Sequence, residues 1–326
     1  MADKTGIEWT DATWNPIVGC SIVSPGCTNC YAMKMAARIE RMNPGNHYAG
    51  TTKASKGGAV WTGKLALAPD HILTAPLRWK RPRKIFVNSM GDVFHEDAPD
   101  AWIDKVFAVM ALCDGTRSNG RHHTFQVLTK RADRMRRYMT DPETPFRVSA
   151  EVTFRVIPGW RPTKGGLDWT SEKTWPLPNV WLGVSTERQK EADERIPLLL
   201  QTPAAVRFIS AEPLLGPIDL DRGGFTLLRP IKSPSGKKWP GLDWVIVGGE
   251  SGPNARPFHI EWADEIVSQC SEAGVDCFVK QFGSMPMSDG YPLELRDRAG
   301  GDPAEWPDRL NLRQFPQTRQ QTGKAA

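Results

Sequence analysis

Cys20, Cys27 and Cys30 fall within eleven residues of one another in the stretch GCSIVSPGCTNCYA, at a spacing of C-x6-C-x2-C. Thiols grouped on a loop punctuated by Gly and Pro point first to metal ligation, because exposed clustered cysteines are reactive and metal-prone. Cys27 and Cys30, two residues apart, can turn their sulfurs onto one centre. Ser24, Pro25 and Gly26 read as a turn that brings Cys20 back towards that pair. Three thiolates leave one position of a four-ligand centre open. An iron-sulfur cluster accepts that arrangement, whereas a structural zinc site takes four protein ligands. The nearest histidine, His47, stands seventeen residues beyond Cys30. Zinc with a distant fourth ligand and three unligated thiols are the alternatives. Cys113, Cys270 and Cys277 lie in apolar runs and are expected in the core. Cys270 and Cys277 repeat the x6 gap, but one falls in a helical and the other in a strand-like stretch, so the repeat reads as coincidence.

A loop of this kind needs elements to hold it. Short β-rich runs occur at Lys84 to Ser89, Thr124 to Thr129, Asn179 to Ser185, Val206 to Ser210, Asp243 to Val247 and Val275 to Val279. Runs of this length without alternation suit strands buried on both faces of a parallel sheet. Amphipathic segments at Trp102 to Leu112, Ala132 to Met139, Glu187 to Leu200 and Glu261 to Ala273 alternate with them, the order of βα units. Trp14 to Gly19 reads as an opening strand, with the cysteine loop at its end and Tyr31 to Met42 as the first helix. That helix has an apolar stripe of Ala32, Met35, Ala36, Ile39 and Met42. The expected fold is α/β, a partial parallel βα barrel over residues 1–283. Long insertions interrupt it near 43–82, 141–178 and 221–241, and residues 284–326 read as a polar, partly disordered C-terminal tail.

Polar residues follow the strands with regularity: Asn88 and Ser89 with Asp92, Thr129 and Lys130, Ser185 with Glu187, Ser210 with Glu212, Gly248-Gly249-Glu250-Ser251, and Lys280 with Gln281. In parallel α/β folds the ligand site lies at the carboxyl ends of the strands, so these exits are expected to line one rim. Each taken singly also suits helix capping. Glu212 and Lys280 are candidates to orient substrate or transfer a proton. Gly248 to Gly252 could cradle a ribose or phosphate through backbone N–H groups, or simply anchor a helix start.

Composition bounds the rest. The 326 residues are 40% hydrophobic with a net charge of +5, enough for a sizeable core and permissive of a polyanionic partner. No run approaches a membrane span and MADKTGIEWT has no apolar leader, so a cytoplasmic protein without a membrane partner is expected. The mixture of Lys and Arg with Trp in the insertions resembles a surface that stacks bases and meets phosphates.

Together, NPIVGCSIVSPGCTNCYA, IFVNSMGDVFH, FQVLTKR, VWLGVSTE, RFISAEPLLGPI, WVIVGGESGPNARP and KQFG resemble the phage-associated three-cysteine-motif family, over most of Ile7 to Gly283 and in matching order. That family is regarded as radical S-adenosylmethionine-like and distantly similar to spore photoproduct lyase. The resemblance implies a 4Fe-4S cluster on Cys20, Cys27 and Cys30, with S-adenosylmethionine at the open iron. An external donor would supply the electron that yields a 5′-deoxyadenosyl radical. It further implies Asn88, Ser89 and Asp92 as contacts to the methionine amino group, Gly248, Gly249 and Glu250 as a related motif, and Tyr31 packed near the cofactor. Ser185 joins them as a strand-exit residue. The implied substrate is a nucleic acid or a nucleotide-derived molecule, and a separate partner protein encoded nearby is a further expectation. The common spacing in radical enzymes is C-x3-C-x2-C with an aromatic residue before the last cysteine. Here the first gap is six, Asn29 precedes Cys30 and Tyr31 follows it. A reading from another class is a non-catalytic nucleic-acid-binding protein with a structural zinc or iron-sulfur site.

Overall fold

The computed structural model describes residues 5–115, 122–153, 175–222, 225–232, 236 and 238–316. In chain order it opens with β1 (Ala12–Trp14), β2 (Ile17–Val18), helix α1 (Tyr31–Met42), β3 (Thr52–Ser55), β4 (Gly58–Trp61), β5 (Ala66–Leu67) and the single turn α2 (Asp70–Leu73). There follow β6 (Arg83–Val87), α3 (Asp100–Ala111), β7 (His123–Thr129), α4 (Ala132–Thr140), α5 (Thr144–Glu151), β8 (Val180–Ser185), α6 (Gln189–Leu200) and β9 (Val206–Ala211). Next come the short strands β10 (Asp221–Arg222), β11 (Phe225–Thr226), β12 (Ile231–Lys232) and β13 (Lys238–Trp239). The chain closes with β14 (Trp244–Gly248), β15 (Phe258–His259), α7 (Ile260–Ala273), β16 (Asp276–Gln281), β17 (Pro286–Ser288) and β18 (Tyr291–Pro292).

Seven strands form one sheet in the order β1-β6-β7-β8-β9-β14-β16. The pairs β1/β6, β6/β7, β9/β14 and β14/β16 are parallel, with Ile85 opposite Ala12 on one side and Phe125 on the other. Each strand lies beside its successor in the sheet, the winding of a partial parallel βα barrel. β8 and β14 are buried along their whole length, as strands covered on both faces must be. Gly274 takes a left-handed φ of 67° at the end of α7, and Val275 N–H returns to Cys270 O at 2.9 Å, which closes the helix and starts β16.

The opening strand differs from expectation. The sheet takes Ala12–Trp14 and stops, because Pro16 has no N–H to give a ladder. Ile17–Val18 pairs instead antiparallel with Ala66–Leu67. The chain gathers into two compact units: residues 1–182 with 202–205, and residues 183–201 with 206–326.

In the first unit Trp14, Ile85 and Phe125 fill the sheet's core, and Phe94, Phe107 and Tyr138 pack ring to ring between α3 and α4. α1 turns Ala32, Met33 and Ala36 inward, in a cluster with Val18, Tyr48, Trp61 and Met90. Of the expected stripe, Ala32 and Ala36 are buried and Ile39 packs on the cluster, whereas Met35 and Met42 are exposed. Residues 43–82 hold the hairpin β3–β4 packed on α1 rather than a loop. Trp61 belongs to the core there, and Trp79 lies half-buried under the Arg83 guanidinium, 4.9 Å from its ring. Of the 141–178 insertion, α5 and Trp175, whose Nε1 donates to Met139 O at 3.1 Å, are described. Trp160 and Trp169 lie outside the described residues.

In the second unit the stretch after Gly283 is not a tail over its described length. Trp306 stacks on Phe282 with ring centroids 4.7 Å apart, Leu310 is fully buried, Val279 N–H donates to Leu312 O at 2.9 Å, and Trp244 Nε1 donates to Gln314 O at 2.9 Å. Proline and polar residues there hide a set of spaced anchors, each covering the outer strands. Trp306→Ala is expected to cost about 3 kcal/mol. A urea midpoint displaced by an equivalent below about 1 kcal/mol would show that this segment does not hold the unit together. Residues 317–326 lie outside the described residues. Among those described, no helix is long and apolar enough to cross a membrane.

Candidate metal centre and strand-end residues

Within the first unit, the cysteine loop starts beyond the ends of β1 and β6. Gly19 N–H donates to Met90 O at 3.2 Å, and Gly19 and Gly91 bridge in parallel. Neither position has room for a side chain. A Cβ on Gly19, where φ is 91°, would stand 2.1 Å from Lys64 O, and one on Gly91 would stand 2.9 Å from Gly19 O. Backbone crossing backbone therefore sets the position of Cys20. Beyond it, Pro25–Cys27 forms the expected turn, with Cys27 N–H donating to Ser24 O at 2.9 Å. Cys30 is the N-cap of α1. Asn15 Oδ1 ties the two strand ends together, accepting from Met90 N–H at 2.9 Å and Ser89 Oγ at 3.2 Å.

A buried guanidinium joins this loop to the end of β7. Arg131 Nη1 donates to Asp92 Oδ2 at 2.9 Å and reaches Cys20 Sγ at 3.6 Å, while Nη2 donates to Ser21 Oγ at 2.7 Å and Ser21 O at 3.3 Å. The Arg131 and Asp92 side chains are 5% and 7% exposed, so this is an ion pair with little water around it. Ser21 Oγ also meets His95 Nε2 at 2.8 Å. His95 Nδ1 accepts from Asp97 N–H at 3.1 Å, which makes Nε2 the donor to Ser21.

Cys20 and Cys30 sit in a poor environment for charge. Burial pushes the Cys20 thiol up to about 12; Asp92 adds to the rise, and the Arg131 cation opposes it. Cys30 is raised by burial as well, against the N–H groups of Ala32 and Met33 at the start of α1. Cys20 and Cys30 pack on the same apolar cluster, and Cys27 is close enough to Cys30 to act on its charge. Among the described residues, no three His, Cys, Asp or Glu side chains converge within reach of one metal ion. The donor set itself, three thiols on one loop, suits a cluster that keeps one iron free of protein.

Asn88, Ser89, Asp92 and Tyr31 stand beside this loop. Asn88 holds a left-handed φ of 60°, accepts Ile17 N–H on Oδ1 at 3.3 Å, and leaves Nδ2 buried without a partner among the described residues. Tyr31 OH donates to Ser89 O at 3.0 Å from an exposed ring. The Asp92 carboxylate accepts from Phe94 N–H, Thr129 Oγ1, Lys130 N–H and Arg131. It fastens the end of β6 to that of β7.

The second unit gathers the other strand-end residues. Lys280 is ion-paired with Glu212, and Gly248 leaves space for that carboxylate, since a Cβ there would stand 3.3 Å from Glu212 Cδ. The Glu250 carboxylate receives Arg256 through N–H at 3.0 Å, Nε at 2.9 Å and Nη2. It thereby anchors its own turn. Ser185 is buried, its carbonyl bound by Arg195 Nη1 at 2.8 Å, the same nitrogen that pairs with Glu187 at 2.9 Å. Gly249 and Gly283 mark a second crossing of backbones: a Cβ on Gly249 would stand 2.2 Å from Phe282 O. Gly249→Ala is expected to destabilise by about 3 kcal/mol or more, because neither partner is a side chain that can swing aside. An unchanged thermal midpoint would contradict that rigidity.

A family model described as a protein of unknown function, DUF5131, matches residues 4–324. The chain belongs to this family. No curated protein and no solved structure matches it. In this DUF5131 chain, sequence reading passed over Arg131, Ser21, His95 and Asn15, which hold the cysteine loop in place. The available signal was adjacency: Ser21 follows Cys20, and Arg131 ends the TKR run after β7. Cys113, Cys270 and Cys277 are buried as expected. The x6 repeat has a structural consequence after all, because the turn at Gly274 sets the Cys270 thiol close enough to Cys277 to push the Cys277 thiol further up.

Proposed function

We propose that this protein is an iron-sulfur enzyme of the radical S-adenosylmethionine type, acting in the cytoplasm on a nucleic acid or nucleotide-derived substrate, as its resemblance to the phage-associated three-cysteine-motif family implies. The observation that carries the reading is the donor set of Cys20, Cys27 and Cys30 on one loop at the C-terminal ends of parallel strands. When bound, a 4Fe-4S cluster with S-adenosylmethionine supplies one-electron chemistry that no side chain offers. The protein's own part is to hold and shield. Arg131 places a fixed cation against Cys20, and the N-terminus of α1 faces Cys30, so both favour thiolate over thiol once ligation removes the protons. The unspent Asn88 amide N–H beside the loop is a donor of the kind that orders a polar ligand or water. In the second unit, the Lys280–Glu212 ion pair sets a proton donor beside an acceptor at the ends of two strands. A partner protein and an external electron donor complete the proposal.

Anaerobic reconstitution with iron and sulfide, followed by electron paramagnetic resonance of the reduced protein, tests the reading. A 4Fe-4S signal that shifts on adding S-adenosylmethionine is the expected result. Protein that takes up zinc and no cluster would instead favour a metal-stapled binding protein.

A further inference from the structure

The modest total charge conceals a strong asymmetry. From Tyr31 to Lys84 there are eleven Lys and Arg against two acidic residues, Glu40 and Asp70, a net +9 in a chain of +5; the remainder is therefore net −4. Nine of the eleven are exposed, all in the first unit. Lys34, Arg38 and Arg41 stand on α1, Lys53 and Lys56 on the β3–β4 hairpin, Lys64 just after it, and three more precede β6. Among the described residues, none of the nine is ion-paired with a carboxylate. Glu40 is already committed to Gly50 N–H at 2.9 Å, and Lys64 Nζ donates to a carbonyl, Ala49 O at 2.8 Å, which leaves its charge uncompensated. The contrast is with α4, where Arg134, Arg136 and Arg137 each pair with Asp100 or Asp133. Unopposed charge confined to one contiguous part of a fold stores field for an anionic partner.

The geometry narrows that partner. α1 packs on the hairpin, and its C-terminal end faces α2 across an open cleft of about 560 Å³, lined by Ile39, Met42, His47, His71 and Ile72. Lys34, Arg38 and Arg41 recur at i, i+4 and i+7, one helix face, about 6 and 4.5 Å apart along the axis. A nucleic-acid strand offers a phosphate about every 3.4 Å of axis, so such a row meets successive phosphates. A helix that lies in a membrane surface sinks its apolar face into lipid, whereas α1 buries Ala32, Met33 and Ala36 in its own protein. We propose that this face of the first unit, α1 with the hairpin and the adjoining cleft, binds nucleic acid through its phosphate backbone, the cleft receiving a sugar or base edge. The inference deepens the nucleic-acid part of the reading above, and the face contains none of the three cysteines.

Fluorescence anisotropy of the full chain with labelled oligonucleotides of about 20 nucleotides, duplex and single-stranded, tests it across about 50 to 300 mM salt. The expected log–log salt slope is about −4 or steeper. Arg38→Glu with Arg41→Glu, and separately Lys53→Glu with Lys56→Glu, should each weaken binding about tenfold or more and flatten the slope by about two. Lys190→Glu, at an exposed lysine of α6, should change neither. Circular dichroism confirms that the variants fold. Salt-insensitive binding, charge-reversed variants that bind as well as the parent, or binding to phosphatidylserine vesicles in place of oligonucleotide would overturn the inference. Cys20→Ala protein is expected to retain binding. A cluster-loaded protein that binds no oligonucleotide overturns this inference alone, and a protein that binds oligonucleotide but no cluster leaves it standing.

Discussion

Single replacement of Cys20, Cys27 or Cys30 by alanine should reduce the iron and sulfide retained after reconstitution about tenfold or more, while Cys113→Ala should retain the parent's content. The two outcomes separate a ligand from a buried thiol. Cys113 is fully buried beyond the end of α3, where it acts as a small apolar residue. The loop thiols stand where a cation and a helix N-terminus face sulfur, and a cluster held by three protein ligands has no spare one to lose. Equal iron in all four variants would sink the ligand assignment.

Arg131→Met should be the most destabilising polar substitution in the first unit, at about 3–5 kcal/mol. The cost arises less from the lost attraction than from what is left behind. Asp92 would remain buried with its charge uncompensated, and Ser21 and Cys20 would lose their tie to the end of β7. Asp92→Asn combined with Arg131→Met removes the stranded charge, so the pair of changes should cost less than the sum of the two singles. Urea unfolding of the three variants measures the coupling. Strict additivity would mean that the guanidinium and the carboxylate act independently, against the geometry.

The parallel strands and long helices were legible because each carries its own periodicity. Tyr31–Met42 has the expected bounds, and the sheet strands from β6 onward start and end within about two residues of the apolar runs that announced them. What failed was whatever depends on distant partners. β2 and β5 are two residues each and exist because they face one another, so no local pattern marks them. The stripe of α1 is right at Ala32, Ala36 and Ile39 and wrong at its methionines, because apolar residues occur on two faces and only the packing of Trp61 and Met90 selects Met33 over Met35. Residues 284–316 looked like a tail because their anchors, Trp306, Leu310 and Phe315, are spaced among Pro, Asp and Arg. At the site, the cysteines were visible by spacing alone. Arg131 was not, since an arginine after a strand ordinarily points to solvent, and burial is decided by Asp92 thirty-nine residues earlier.

The crossing of Gly19 with Gly91 bears on how a loop of this kind can vary. Cys20 hangs from the sheet through that crossing and Cys30 from the first turn of α1, so both ends of the loop are moored independently. Between them Ser21 is tied to Arg131 and His95, and Ser24 and Cys27 are buried, so the looser part is short. Ile22 and Val23, midway along the long first gap, project to the outside with 54% and 47% of their surface exposed. Residues added or removed there are taken up as a change in the size of the bulge, and the end sulfurs keep their places. The six-residue gap is then a matter of what the bulge meets, and the spacing between cysteines, usually treated as a signature of chemistry, becomes in this fold a measure of reach.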